Sequence, residues 1–217
     1  MRALAVALVV ACVAPRSAAA ESSASELAAK ALKACEDGRQ TEARTEREAR
    51  FTDGQALAEK AVALDDLSAD AHFALFCNLG ELLRIDGERP SFSGFRRMMS
   101  ELDRTLALRP DHVDALAVKG ILLTRLPRLL GGNAREGETI LRHVISIDQQ
   151  AISSRLALAK ICAERGDREE AARLATDALE YARAQSRTAV CAEAETILAD
   201  AGGTPAAPHA AERVALR

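Results

Sequence analysis

Glu59-Lys-Ala-Val-Ala-Leu64-Asp-Asp66 returns as Asp103-Arg-Thr-Leu-Ala-Leu108-Arg-Pro110, then as Arg142-His-Val-Ile-Ser-Ile147-Asp-Gln149, and closes as Thr176-Asp-Ala-Leu-Glu-Tyr181. Each block ends a stretch of helix-forming residues, and the first three run straight into a stop. Aligning Leu64, Leu108, Ile147 and Tyr181 gives spacings of 44, 39 and 34 residues. Self-similarity at such a period is the mark of stacked helical hairpins, because one hairpin cannot bury its apolar face alone. The two longer spacings have visible hosts. Asp86-Gly-Glu-Arg-Pro-Ser-Phe-Ser-Gly94 carries turn residues inside the second unit, and Pro127-Arg-Leu-Leu-Gly-Gly-Asn133 does so inside the third.

Numbered from Ile152, the fourth unit places Ala159, Ala171 and Ala178 where two helices cross. Numbered from Val113, the third unit places Gly120 at that crossing, with the larger Leu123 following. Small side chains are needed there because helix axes approach to about 8–10 Å. Asp65-Asp66, Arg109-Pro110 and Asp148-Gln149 occupy the stop, and only Pro110 is a proline. In these residues the chain resembles the tetratricopeptide repeat (TPR) family over roughly residues 25–200. The family's aromatic positions are mostly Leu, Ala or Arg here, so the likeness lies in register across units. It implies an all-α fold: a right-handed α-α superhelix of TPR-like helical hairpins, about four repeats plus a capping helix over Thr188 to Leu198. The expected repeat domain covers residues 21–200. The turn Leu126-Pro-Arg-Leu-Leu-Gly-Gly-Asn133 is also similar to the Leu-Pro-x-x-Leu-Gly-Gly turn of two helical-repeat groups. These are the T-component lipoproteins of TRAP-type transporters and the microtubule-dynamics regulators of eukaryotes.

Local punctuation agrees with hairpins. Gly166-Asp167 ends one helix and starts the next, with Glu170 completing a capping box, and Asn133 with Glu136 repeats the device. Asp111 is expected to cap the helix Val113 to Arg125. Glu21 to Asp37 reads as an opening amphipathic helix with Leu27, Ala31, Leu32 and Cys35 on one face. Gly38 to Arg50 mixes acids and bases at helical neighbour spacing and reads as a solvated helix face or loop. Residues 201–217, with Gly202-Gly203, Pro205 and Pro208, read as a disordered tail.

Residues 1–20 read as a signal peptide. Arg2 precedes the apolar run Ala3 to Ala14, Pro15-Arg-Ser17 breaks it, and Ala18-Ala-Ala20 fits a small-x-small cleavage site. A bilayer needs roughly 20 apolar residues, so this run is too short to span one. Val9-Val-Ala-Cys12 offers a second reading as a lipobox, with Cys12 acylated and the membrane reached only through that lipid. Both readings export the chain, to the bacterial periplasm or cell envelope. Cys35, Cys77, Cys162 and Cys191 then remain; they allow three disulfide pairings, or each serves as a small buried apolar residue.

Composition narrows the function. Hydrophobic residues at 48% and charged ones at 28% are globular rather than disordered proportions. A net charge of −3 with interspersed signs implies no polyanion partner, and 3% aromatics is too few for base-stacking platforms, so no nucleic acid is expected. His72, His112, His143 and His209 form no H-x-x-x-H or H-E-x-x-H pair, and no Cys pair has C-x-x-C spacing, so no metal site is expected. His72, beside Phe73, reads as a partly covered helix residue rather than a general base. Gly131-Gly-Asn133 lacks the Lys and Ser/Thr of a phosphate loop. No catalytic set and no cofactor are expected.

What is left is binding. The TPR resemblance implies a concave groove formed by the first helix of each repeat, taking a peptide or partner protein. Its inward positions transfer to Phe73, Cys77 and Glu81, to Asp114, Ala117, Ile121 and Arg125, and to Leu156 and Lys160. Arg125 and Lys160 offer charge to an acidic ligand group, while Phe73, Ile121 and Leu156 offer apolar contact. The expectation is thus an exported, non-catalytic interaction scaffold. The T-component likeness implies an alternative, a solute-binding or transport accessory marked by a closed, ligand-sized cavity.

Overall fold

The computed structural model describes residues 18–85, 87 and 91–202. The apolar run of the expected signal peptide, Cys12, His209 and residues 203–217 of the expected tail lie outside the described residues. Among those described, the fold is all-helical and repeat-like. Its helices are α1 (Ala18–Gln40), α2 (Arg44–Leu64), α3 (Ala69–Ile85), α4 (Phe92–Leu108), α5 (Val113–Arg125), α6 (Ala134–Ile147), α7 (Ile152–Arg165), α8 (Arg168–Ala184) and α9 (Thr188–Asp200), with a 3-10 turn at Arg128–Leu130. They form two compact units, α1–α4 and α5–α9, divided after Leu108.

Within each unit successive helices pack as hairpins: α1 with α2, α3 with α4, α5 with α6, and α7 with α8. The repeated blocks end where the helices end, since Leu64, Leu108 and Ile147 are the last residues of α2, α4 and α6. Tyr181 stops short of the end of α8, which runs on to Ala184. These four side chains do not share one depth, because Leu64 and Ile147 are exposed while Leu108 and Tyr181 are half-buried. The shared depth lies further back along each helix. Ala61, Thr105, Val144 and Ala178 sit one turn earlier, and Ala58, Leu102, Leu141 and Ala175 nearly two, and all eight are fully buried. Gly54, Met98, Gly137 and Ala171 extend the same buried stripe toward the helix starts. This spacing of four and three residues keeps one face of every second helix against its partner.

The stops have a physical cause. Asp65 and Asp148 follow the last helical residue in extended conformation. Each carboxylate then turns the chain by accepting a backbone N–H two residues on, Leu67 N at 3.1 Å and Gln150 N at 2.8 Å. The starts follow the sequence with one correction. Asn133 and Asp167 cap α6 and α8, accepting from Glu136 N and Glu170 N. The cap of α5 is His112, whose ring nitrogen accepts from Ala115 N at 3.3 Å, and not Asp111. His112 is the residue with extended φ and ψ directly before the first helical turn, and Asp111 lies one position too early.

In the first unit α3 is central. Residues 71–79 are all buried because α1, α2 and α4 each pack on this helix. The covered stripe of α1 is Ala24, Ala28, Ala31 and Cys35, with Leu27 and Leu32 half-buried at its edges. The charged stretch after Gly38 is solvated as expected, with Arg50 bonded to Glu46 one turn away. In the second unit α7 holds the same central place, packed by α5, α6, α8 and α9. Its core joins Leu141, Leu156, Leu158, Cys162, Leu174, Leu179, Ile197 and Leu198.

Candidate functional site

The open side of α7, between α5 and α9, forms a groove in the second unit. Two neighbouring depressions make it up. One, of about 230 Å³, is lined by Ile121 and Arg125 of α5, Ser153, Leu156 and Ala157 of α7, and Arg187, Val190 and Glu193 at α9. The other, of about 300 Å³, is lined by Lys160, Ala163 and Glu164 of α7 with Glu193, Thr196, Ile197 and Asp200 of α9. Glu193 belongs to both.

Helical spacing explains the lining. Leu156, Lys160 and Ala163 fall on one face of α7, while Ile121 and Arg125 lie one turn apart on α5. On α9, Val190, Glu193 and Ile197 are three and four residues apart and so share a face. Leu156 is buried and forms floor, whereas Ile121 and Val190 are half-buried at the walls.

Charge divides the groove. Arg125 and Arg187 are exposed in the first depression and have no side-chain partner among the described residues. Lys160 does not offer its charge to the groove, because its ammonium donates to Glu193 Oε1 at 2.5 Å. The second depression adds the carboxylates Glu164 and Asp200. One depression therefore carries the cations Arg125 and Arg187 and the other the carboxylates Glu164 and Asp200, with the paired Glu193 common to both.

Of the residues expected in the groove, Ile121, Arg125, Leu156 and Lys160 come together here. Asp114 and Ala117 lie earlier on α5, exposed and half-buried respectively, and line neither depression. Phe73, Cys77 and Glu81 belong to α3 of the first unit. Phe73 and Cys77 are buried there, and the Phe73 ring lies 6.0 Å from that of Phe76. Glu81 accepts hydrogen bonds from Arg39 of α1 at 2.6 Å and from Arg84 at 2.8 Å. Burial raises its carboxyl affinity for protons, and the two guanidiniums outweigh that and hold it below the usual carboxylate range. Through Arg39 that residue links α1 to α3.

Nothing in the sequence marks Arg187, Val190 and Glu193 as lining. The sequence marks α9 as a closing helix, and its apolar spacing alone does not say which neighbour stays uncovered. Two other polar clusters lie outside the groove. His72 is buried between Glu101 Oε2, 2.6 Å from Nδ1, and the Asp66 carbonyl oxygen, 3.0 Å from Nε2. Glu101, opposed by burial, holds the imidazole above its usual range. Cys162, Asp167 and Glu170 converge at the α7–α8 turn with ligand atoms within 4.8 Å of one another. Arg142, 2.6 Å from Glu170, and Arg165, 3.8 Å from the Cys162 sulfur, bring positive charge to that turn.

No protein-family model matches the chain, and no curated protein is significantly similar to it in sequence.

Proposed function

We propose that this chain is an exported, non-catalytic interaction scaffold of TPR-like hairpins that holds an extended peptide or partner segment in the α5–α7–α9 groove. The observation that carries the reading is the pair of unpartnered guanidiniums, Arg125 and Arg187, beside the apolar side chains of Ile121, Leu156 and Val190. Two cations left unpaired at the mouth of an apolar cleft favour a ligand with acidic side chains next to an apolar one. Glu164 and Asp200 at the other end favour a basic residue further along the same ligand. The groove thus selects a segment with polarity, acidic toward α5 and basic toward the end of α9.

Export is consistent with the build of α1. Its first buried residue is Ala24, so cleavage after Ala20 removes no buried residue of α1 among those described, Ala20 itself being half-buried.

The test is an array of peptides with acidic–apolar–basic order against scrambled and charge-reversed controls. The ordered set is expected to bind the full chain, and the double variant Arg125→Glu with Arg187→Glu to weaken it at least about tenfold, as for loss of charge-assisted hydrogen bonds. Equal binding by the charge-reversed set, or binding untouched by the double variant, overturns the reading. Mass spectrometry of the N-terminus from envelope fractions tests export, Glu21 being the expected first residue or acylated Cys12 the alternative.

A further inference from the structure

We propose that Cys35 and Cys77 form a disulfide that ties α1 to α3 when the chain meets a disulfide-bearing oxidant. The two thiols face each other across the α1–α3 contact, the Cys77 side chain hydrogen-bonding that of Cys35. Two further α1–α3 contacts lie on either side of Cys35. Asn78 Nδ2 donates to the Ala31 carbonyl oxygen at 3.0 Å one turn before Cys35, and Arg39 Nε donates to Glu81 at 2.6 Å one turn after. On α1 Cys35 lies midway between the two anchored residues, and on α3 Cys77 directly precedes Asn78 and stands one turn before Glu81, so each cysteine sits next to fixed contacts. Both cysteines are buried.

The surroundings suit thiol–disulfide exchange. The hydrogen bond from Cys77 pulls the Cys35 thiol below its usual range, and Arg39 and Arg84 add to that against burial and Glu81. With glutathione disulfide as oxidant, the Cys35 thiolate attacks one sulfur and releases one glutathione thiolate. The Cys77 thiolate then attacks the Cys35 sulfur of the mixed disulfide and releases the second. Two protein thiols are oxidised, one glutathione disulfide is reduced to two glutathiones, and the two protons pass to the released thiolates. Because both sulfurs are buried once α1 is docked, exchange happens during folding or a local opening of α1.

The bond closes a loop of the same 42-residue separation that Arg39–Glu81 spans. Loops of that length restrict the unfolded chain enough to raise the melting temperature by about 10 °C. The experiment refolds the reduced full chain in glutathione redox buffer, blocks remaining thiols and maps cysteine peptides by mass spectrometry. The expected result is a Cys35–Cys77 linked peptide two hydrogens lighter than its reduced parts. A melting temperature higher by about that shift, reversed by dithiothreitol, accompanies it. Cys35→Ala and Cys77→Ala each remove the link and the shift, while Cys191→Ala keeps both. Alkylation of both cysteines after oxidative refolding, stable glutathione adducts on each, or links to Cys12, Cys162 or Cys191 instead overturn the proposal.

Discussion

At the scale of single residues, the buried polar groups of the first unit do what apolar packing alone does not. The His72 ring meets a carboxylate on one nitrogen and a carbonyl oxygen on the other, and neither partner has a proton to donate. Only the imidazolium satisfies both. Its folded proton affinity stands above the unfolded one, so its stabilisation is complete below about pH 6.5 and fades as pH rises through the folded value. His72→Ala is therefore expected to cost about 2 kcal/mol at about pH 5.5, as a buried charged hydrogen bond does. Urea titrations should show a smaller cost near pH 8, and an equal cost at both contradicts the account. Asn78 is a second case: wholly buried, it donates to Ala31 of α1 and to Ala74 of its own helix. Room for it comes from Gly54 of α2, where an added Cβ falls directly on the amide oxygen. Gly54→Ala, favoured by helix propensity by about 1 kcal/mol, is expected instead to destabilise by about 1–3 kcal/mol. Neither Asn78 nor Gly54 stands out in the sequence, because a lone Asn in an apolar helix carries no sign of the carbonyl it will meet.

At the scale of elements, the hairpins were legible because their determinants are local and repeated. Asn133 and Asp167 announce α6 and α8, and Gly120, Ala159, Ala171 and Ala178 mark the crossings. The misjudged cap of α5 differs in kind, since the choice between Asp111 and His112 turns on a single residue's φ and ψ. The groove was half legible. Ile121, Arg125, Leu156 and Lys160 follow from register, whereas Arg187, Val190 and Glu193 depend on how α9 lies over α7. The α5–α6 crossing is the sharpest test of the element-scale account. A Cβ on Gly137 would stand 2.7 Å from the Gly120 carbonyl oxygen, and one on Gly120 2.8 Å from Leu141 Cγ. Backbone cannot move aside as a side-chain tip can, so Gly137→Ala is expected to cost about 2–3 kcal/mol. Gly166 is the matched control: its φ of 86° strains any other residue, yet nothing lies within 4 Å of an added Cβ. Gly166→Ala should therefore cost only about 1 kcal/mol. Denaturant midpoints of the two variants give the comparison, and an inverted order contradicts it.

At the scale of the whole chain, the division after Leu108 makes a prediction about autonomy. The second unit has its own core, from Leu141 through Leu198, with α7 covered by α5, α6, α8 and α9 of the same unit. In helical repeats stability is near to a sum of unit and nearest-neighbour terms, so a set of neighbours that buries its own central helix can stand alone. A fragment of residues 109–202 is expected to be helical by circular dichroism. It should unfold cooperatively with about 5–10 kcal/mol, the ordinary range for a domain of that size. It also carries every residue that lines the groove. If ligand selection rests on Arg125, Arg187 and the acidic far end, the fragment binds the ordered peptides as tightly as the full chain. Both lose affinity with rising salt, because the guanidiniums are exposed and screened. A fragment that folds but binds more than about tenfold weaker shifts the recognition surface toward α1–α4. Fragment and full chain that bind alike remove the first unit from recognition, and leave it the stabilising hydrogen bonds of His72, Asn78 and Glu81.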